Sequence, residues 1–198
     1  MTQTPPINST ETPPTEDPRH ALEDRERVPS VLVVYTGDGK GKSSSAFGVM
    51  TRAVARGWQV GVIQFLKSGS WHTGEEKVGN QLGVDWWTLG EGFTWDSTDL
   101  SEDEATAQEA WRQAKEKIQS GSYRLVILDE ITYPMNWGWI DSEDVVATLL
   151  ARPEKTNIIA TGRDASAPLL EAADTATEMH KLKHAYDQGI MAQAGLDY

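Results

Sequence analysis

A glycine-rich run, GDGKGKSSSAFG at residues 37–48, follows directly on the apolar stretch VLVVYT. A β-rich run, then glycines, then Lys-Ser at the start of a helical pattern is the order of elements found in a phosphate-binding loop. In such a loop, backbone N–H groups and the positive end of the helix bind anionic oxygens. The segment therefore predicts a strand, a nucleotide-binding loop and a helix, which restricts the chain to α/β folds.

The match to the usual G-x-x-x-x-G-K-[ST] pattern is partial, because Thr36 occupies the first glycine position. Lys42 is expected to reach phosphate oxygens, and the Ser43 hydroxyl is expected to bind a metal ion. Arg163, in the sequence TGR after a later strand, is compatible with a contact to phosphate or another part of the ligand and also with a surface ion pair. The predicted nucleotide contacts are Thr36, Gly37, Asp38, Gly39, Lys40, Gly41, Lys42, Ser43, Ser44 and Arg163.

A second candidate element is RLVILDE, in which Asp129 and Glu130 end a buried strand. Ligands bind outside the carboxyl ends of strands in open α/β sheets. Carboxylates there, directly or through water, orient Mg²⁺ against phosphate oxygens. The predicted metal site is therefore Ser43, Asp129 and Glu130 with Mg²⁺, or Mn²⁺ as an alternative, and the sequence leaves open which carboxylate contacts the metal directly.

Short apolar runs alternate with helical patterns from residue 31 onward, which favours parallel strands joined by crossover helices. Helices are expected at about 42–56, at about 101–118, and after Asp141, which is placed to cap one. The fold class predicted is a single α/β domain over residues 30–198, a phosphate-loop NTPase of RecA-like type with a mostly parallel sheet. The expected strands are 31–36, 59–65, 84–89, 123–129, 156–162 and 175–182.

Composition excludes several other classes. Residues 1–29 carry six of the nine prolines and few large apolar side chains, so this segment is expected to be disordered or conditionally ordered. A formal charge of -12 disfavours a nucleic-acid partner, and the absence of cysteine excludes disulfides and thiolate metal sites. No apolar run approaches the roughly 20 residues of a membrane helix, so a cytoplasmic protein without membrane contact is expected.

A set of motifs, in order along residues 31–198, carries a family resemblance. They are TGDGKGKSSSAFG, GVIQFLKSG followed by WHTGE, GEGFTW, VILDEITY, IIATGR and KHAYDQGIMAQAGLDY. Together they resemble the ATP:corrinoid adenosyltransferase family, also called cob(I)alamin or cob(I)yrinic acid a,c-diamide adenosyltransferases. The resemblance implies that a Co(I) corrinoid attacks the ribose 5′-carbon of ATP and expels triphosphate, which lies reversed in the loop relative to typical phosphate-loop NTPases.

The resemblance also implies roles for individual residues and partners. Phe93 and Trp95 are implied to face the corrin and exclude its lower axial ligand, which makes the cobalt easier to reduce; ordinary core packing is the alternative from sequence alone. With Lys42, they are the predicted catalytic residues. A homodimer and a reduced flavoprotein electron donor are implied in the same way.

Two other functions remain open at the level of the residues. A small-molecule kinase or ATPase would use the same loop and release ADP. A nucleotide-controlled binding protein would use ATP to order residues 1–29 for a partner.

The loop carrying Lys67, Trp71 and Glu75 is compatible with ligand contacts or with packing, and the four histidines, His184 among them, are expected to be structural or exposed. The natural corrinoid acceptor is not specified.

Overall fold

The computed structural model of this chain describes residues 26–66, 73–88 and 100–197. The strands are β1 (Leu32–Thr36), β2 (Val60–Gln64), β3 (Asp85–Thr88), β4 (Leu125–Asp129), β5 (Asn157–Thr161) and β6 (Thr175–Glu178). They form one sheet in the order β3-β2-β4-β5-β1-β6, and every pairing is parallel. The predicted strands and the α/β class are confirmed, although β6 ends at Glu178, short of the predicted residue 182.

Helices connect the strands. They are α1 (Lys42–Ala55), α2 (Gly74–Gln81), α3 (Leu100–Gln119), α4 (Thr132–Asn136), α5 (Ser142–Leu150) and α6 (Ala167–Ala172). The predictions of α1, α3 and α5 are confirmed, and Asp141 caps α5 by accepting a hydrogen bond from the Glu143 N–H at 2.9 Å. The sequence did not predict α2, α4 and α6, because helices of five to eight residues show too few turns for a periodic pattern.

The central strands β2, β4 and β5 are buried on both faces. Leu125 and Ile127 of β4 pack in one cluster with Phe47 of α1, whereas the intervening Val126 and Leu128 belong to a second cluster formed with α3, α5 and α6. Successive strand residues point to opposite faces, so both sets must be apolar when helices cover both sides. This double burial is the reason that the strands read as continuous apolar runs.

Parallel pairing brings the carboxyl ends of all six strands to one edge of the sheet. The loop after β1 and the acidic end of β4 lie at this edge, separated by β5. This order, with one strand between the loop strand and the acidic strand, is the predicted RecA-like arrangement. The predicted disorder of residues 1–29 falls almost entirely outside the described residues. Within the described ranges, no helix is long and apolar enough to cross a membrane.

Candidate nucleotide site

The start of α1 is built to accept an anion. Its N-cap, Gly41, has φ 112° and no side chain, and no side-chain hydrogen bond caps the helix. This left-handed conformation favours glycine because a Cβ would clash with the backbone. The first-turn N–H groups of a helix have no partners within the helix, and the helix dipole adds positive potential there. The 14-residue helix therefore presents its amino end to a ligand.

A polar cavity of about 220 Å³ lies at this helix end. Glu130, one of the predicted metal-binding carboxylates, also lines it. Eight of the ten predicted nucleotide contacts line this cavity: Asp38, Gly39, Lys40, Gly41, Lys42, Ser43, Ser44 and Arg163. The structure thus brings most of the predicted site together, including Arg163 from the end of a different strand.

Thr36 and Gly37 do not line the cavity and instead shape the loop. The Thr36 hydroxyl accepts a hydrogen bond from the Ala165 N–H at 3.0 Å. Gly37 has φ 95°, and a Cβ built on it would lie 2.5 Å from the Met179 carbonyl oxygen. The Gly39 N–H donates to the same carbonyl at 2.7 Å, so one loop amide is already paired within the protein. The segment after β6 therefore packs against the loop and fixes its position.

Lys42 is the central cation of the loop. Its side chain is 7% exposed, and its Nζ donates to the carbonyl oxygens of Gly37 and Gly39, each at 2.8 Å. An ammonium group has three N–H donors, so these two bonds fix its direction and leave one donor for a ligand. Burial lowers the pKa of Lys42, and the nearby Glu130 carboxylate opposes that shift.

The two acidic residues at the end of β4 have different surroundings. Asp129 is fully buried, and its carboxylate accepts hydrogen bonds from Thr161 Oγ1 at 2.8 Å and from Gln64 Nε2 at 3.0 Å. Glu130 is half-buried and lines the cavity. It has φ 65°, a conformation uncommon for residues other than glycine. Of the pair, Glu130 is the one whose side chain reaches the ligand cavity.

The oxygen donors of this cavity fit a hard divalent cation. Among the described residues, no group of three His, Cys, Asp or Glu side chains is placed to hold a metal by itself. Ser43 and Glu130 nevertheless line one cavity. Mg²⁺ is commonly bound through one or two protein oxygens, with substrate phosphates and water completing its octahedron. Such a pair suits Mg²⁺ bound together with a polyphosphate.

The sequence prediction missed several residues of the cavity. Thr73, His184, Leu196 and Asp197 also line it, and Asp197 forms an ion pair with Lys40 of the loop. The T-G-E-E motif starting at Thr73 is a recognisable helix-start signal, and Thr73 is the N-cap of α2. The expectation that His184 is structural or exposed is incomplete, because this half-buried residue also borders the cavity.

A second, more apolar cavity of about 470 Å³ adjoins the first. The two share Ser44, Phe47, Glu75 and Leu196. The site thus offers room for a larger, less polar group beside the phosphate-binding part. The predicted corrinoid contacts Phe93 and Trp95, and the candidate loop residues Lys67 and Trp71, lie outside the described residues, so they stay predictions.

The family match and the curated sequence relatives point to the same family. The family described as "ATP:corrinoid adenosyltransferase BtuR/CobO/CobP" matches residues 29–198. The corrinoid adenosyltransferase of Escherichia coli K12 is 42% identical over 168 residues, covering 85% of each chain. That of Pseudomonas aeruginosa is 43% identical over 170 residues, covering 85% of this chain and 83% of its own. The corrinoid adenosyltransferase CobA of Salmonella typhimurium is 38% identical and covers 92% and 91%.

Proposed function

This chain belongs to the ATP:corrinoid adenosyltransferase family, and we propose that its loop residues hold the triphosphate of ATP while the adenosyl group moves to a Co(I) corrinoid. The family match spans residues 29–198, and the observation that carries the residue roles is the cavity at the start of α1. That cavity combines a buried lysine, a serine hydroxyl, a carboxylate and an arginine at one helix end.

The reaction requires no nucleophile from the protein. The electron pair of Co(I) attacks C5′ of the ribose and forms the cobalt–carbon bond, while the C5′–O bond to the α-phosphate breaks. Triphosphate departs with the electron pair of the broken C5′–O bond. The chain's task is to align the reacting atoms and to stabilise charge on the departing group. A serine–histidine–aspartate set or general base is unnecessary for such a displacement.

Five polar residues of the cavity have defined parts in this proposal. Lys42 directs its third N–H at a phosphate oxygen, because the Gly37 and Gly39 carbonyls hold the other two. Lys40 and Arg163 add positive charge along the same cavity. Ser43 and Glu130 hold Mg²⁺, which when bound neutralises polyphosphate charge. The neighbouring apolar cavity, which includes Phe47 and Leu196, accommodates the adenosine moiety.

The corrinoid side of the reaction is proposed from family membership. Phe93 and Trp95 face the corrin and favour four-coordinate cobalt, and a reduced flavoprotein supplies the electron that converts Co(II) to Co(I). We propose a homodimer as the working state. These roles concern residues and partners beyond the described part of the structure, so their support is the motif GEGFTW and the 38–43% identity to the adenosyltransferase relatives.

The test mixes purified protein with Mg²⁺-ATP and chemically reduced Co(I) cobalamin under anaerobic conditions. The corrinoid spectrum and the phosphate products are followed together. We expect a light-sensitive adenosyl-cobalt species with one triphosphate per turnover, a strong loss in Lys42→Ala, and no loss in Lys155→Ala, an exposed lysine outside the cavity. An unchanged corrinoid accompanied by ADP would refute adenosyl transfer and indicate a kinase or ATPase.

A further inference from the structure

A chain of hydrogen bonds, buried at its centre, crosses the carboxyl edge of the sheet and reaches the nucleotide cavity. The Trp86 Nε1–H donates to Gln64 Oε1 at 3.0 Å, and Gln64 Nε2 donates to Asp129 Oδ2 at 3.0 Å. Thr161 Oγ1 donates to Asp129 Oδ1 at 2.8 Å, and the Glu130 N–H donates to Thr161 Oγ1 at 3.0 Å. These bonds link four adjacent strands, β3, β2, β4 and β5, to Glu130, which lines the cavity.

The direction of these bonds is fixed by chemistry. A hydroxyl has one proton, and an ionised carboxylate accepts but does not donate. Thr161 therefore gives its proton to Asp129 and keeps its lone pairs toward the Glu130 N–H. Thr161 and Asp129 are fully buried and Gln64 is 1% exposed, so water has little access to replace these partners. In a low-dielectric site, such a satisfied network rigidifies its members.

Glu130 sits in a backbone conformation that needs support. Its φ of 65° is uncommon for a side chain of this size, and such conformations persist where surrounding contacts enforce them. The bond from its own N–H to Thr161 acts directly on this residue. The turn at Glu130 lets consecutive carboxylates diverge, so that Asp129 stays among the strand ends while Glu130 lines the cavity.

We propose that Thr161 is a positioning residue, which, oriented by Asp129, fixes Glu130 with its carboxylate in the nucleotide cavity to receive the metal ion of Mg²⁺-ATP. Asp129 then acts as the anchor of the network and not as a direct ligand. This inference rests on the proposed role of Glu130 in holding Mg²⁺, and it concerns residues for which the loop motif gives no signal.

The test measures ATP binding without any corrinoid. Isothermal titration calorimetry gives the dissociation constant of ATP in Mg²⁺ and in EDTA, and their ratio reports the metal-dependent gain in affinity. We expect Thr161→Val to lose roughly 10- to 100-fold of that gain, the usual effect of removing a group that orients a metal ligand, with binding in EDTA near wild type. Thr161→Ser, which keeps the hydroxyl, should restore most of it.

A matched control separates positioning from general destabilisation. Thr156, just before β5, is 1% exposed, and its hydroxyl donates to the Tyr123 carbonyl oxygen at 3.0 Å. Thr156→Val removes an equally buried hydroxyl far from the cavity, so its Mg²⁺ ratio should match wild type. If Thr161→Val does not fold, Thr161→Ala removes the same hydroxyl without adding a methyl group.

Glu130→Gln separates the positioning role of Thr161 from the metal-holding role of Glu130. If Glu130→Gln abolishes the metal-dependent gain and the Thr161 variants without a hydroxyl retain it, the positioning role of Thr161 is overturned while the proposed function of Glu130 stands. If Glu130→Gln keeps the wild-type ratio, the metal-holding role of Glu130 is overturned, and the inference about Thr161 is overturned with it. Loss in both, with recovery in Thr161→Ser, supports the proposal.

Discussion

Gly39→Ala adds a single methyl group where the phosphate loop touches the segment after β6. A Cβ at this position would lie 2.8 Å from the Met179 carbonyl oxygen and 2.9 Å from the His180 carbonyl carbon. These are backbone atoms, and the loop is bound to them by the Gly39 N–H bond to Met179 at 2.7 Å. Because neither partner is a flexible side chain, relief of the overlap requires the loop and the segment to separate.

The change in the free energy of unfolding caused by Gly39→Ala has three contributions. Overpacking of this kind costs about 1–3 kcal/mol. Weakening the 2.7 Å hydrogen bond costs about 1 kcal/mol more. Replacing glycine by alanine reduces the entropy of the unfolded chain, which offsets about 0.4–1 kcal/mol. We therefore expect Gly39→Ala to lower the free energy of unfolding by about 1–4 kcal/mol and to weaken ATP binding, because the displaced loop carries the phosphate contacts.

Gly48→Ala is the matched control for urea unfolding. Gly48 lies inside α1 and is exposed, and a Cβ added there would have no neighbouring atom within 4 Å, so the same chemical change meets open space. We expect it to raise the free energy of unfolding by about 0.5–1 kcal/mol, because alanine is the better helix former. If the two variants were equally stable, the close packing of the loop against residues 179 and 180 would be refuted.

Three further predictions concern other parts of the molecule. Asp197→Asn should strengthen ATP binding up to about fivefold, because it frees Lys40 from its ion pair with Asp197. That pair is partly exposed and is worth at most about 1 kcal/mol. An unchanged dissociation constant of ATP, measured by calorimetry, would contradict this prediction. Burial, helped by a 2.9 Å hydrogen bond to Asp85, raises the pKa of Tyr123 from 10.0 to about 12. The neutral phenol therefore stabilises the fold fully below pH 10, and this stabilisation is lost progressively as the pH rises to 12. Across that window, the free energy of unfolding of wild type should fall more than that of Tyr123→Phe. Urea melts that change in parallel with pH for the two proteins would contradict the raised pKa. Trp95→Ala should chiefly slow adenosylation that starts from Co(II) with a biological reductant, and an equal loss with chemically reduced Co(I) would exclude a role in reduction.

The predicted metal-binding pair, Asp129 and Glu130, illustrates the limit of sequence reasoning. Adjacency in VILDE predicts that Asp129 and Glu130 act together at a strand end. Whether their carboxylates point the same way depends on the backbone between them, and Glu130 has φ 65°. That angle is supported by Thr161, which is 31 positions away along the chain. No local pattern encodes such a partner.

Local chemistry allowed the sequence by itself to determine the six strands, the three longer helices and the loop at residues 37–43. Each depends on apolar periodicity, glycine conformation or a lysine and serine at a helix start, which are properties of neighbouring residues. Tertiary structure alone decided the strand order and the docking of the chain's end on the loop, where the Lys181 N–H donates to Asp38 across 143 positions. Such contacts join residues that lie far apart in the sequence. They therefore depend on how the elements pack in the tertiary structure and not on any local pattern.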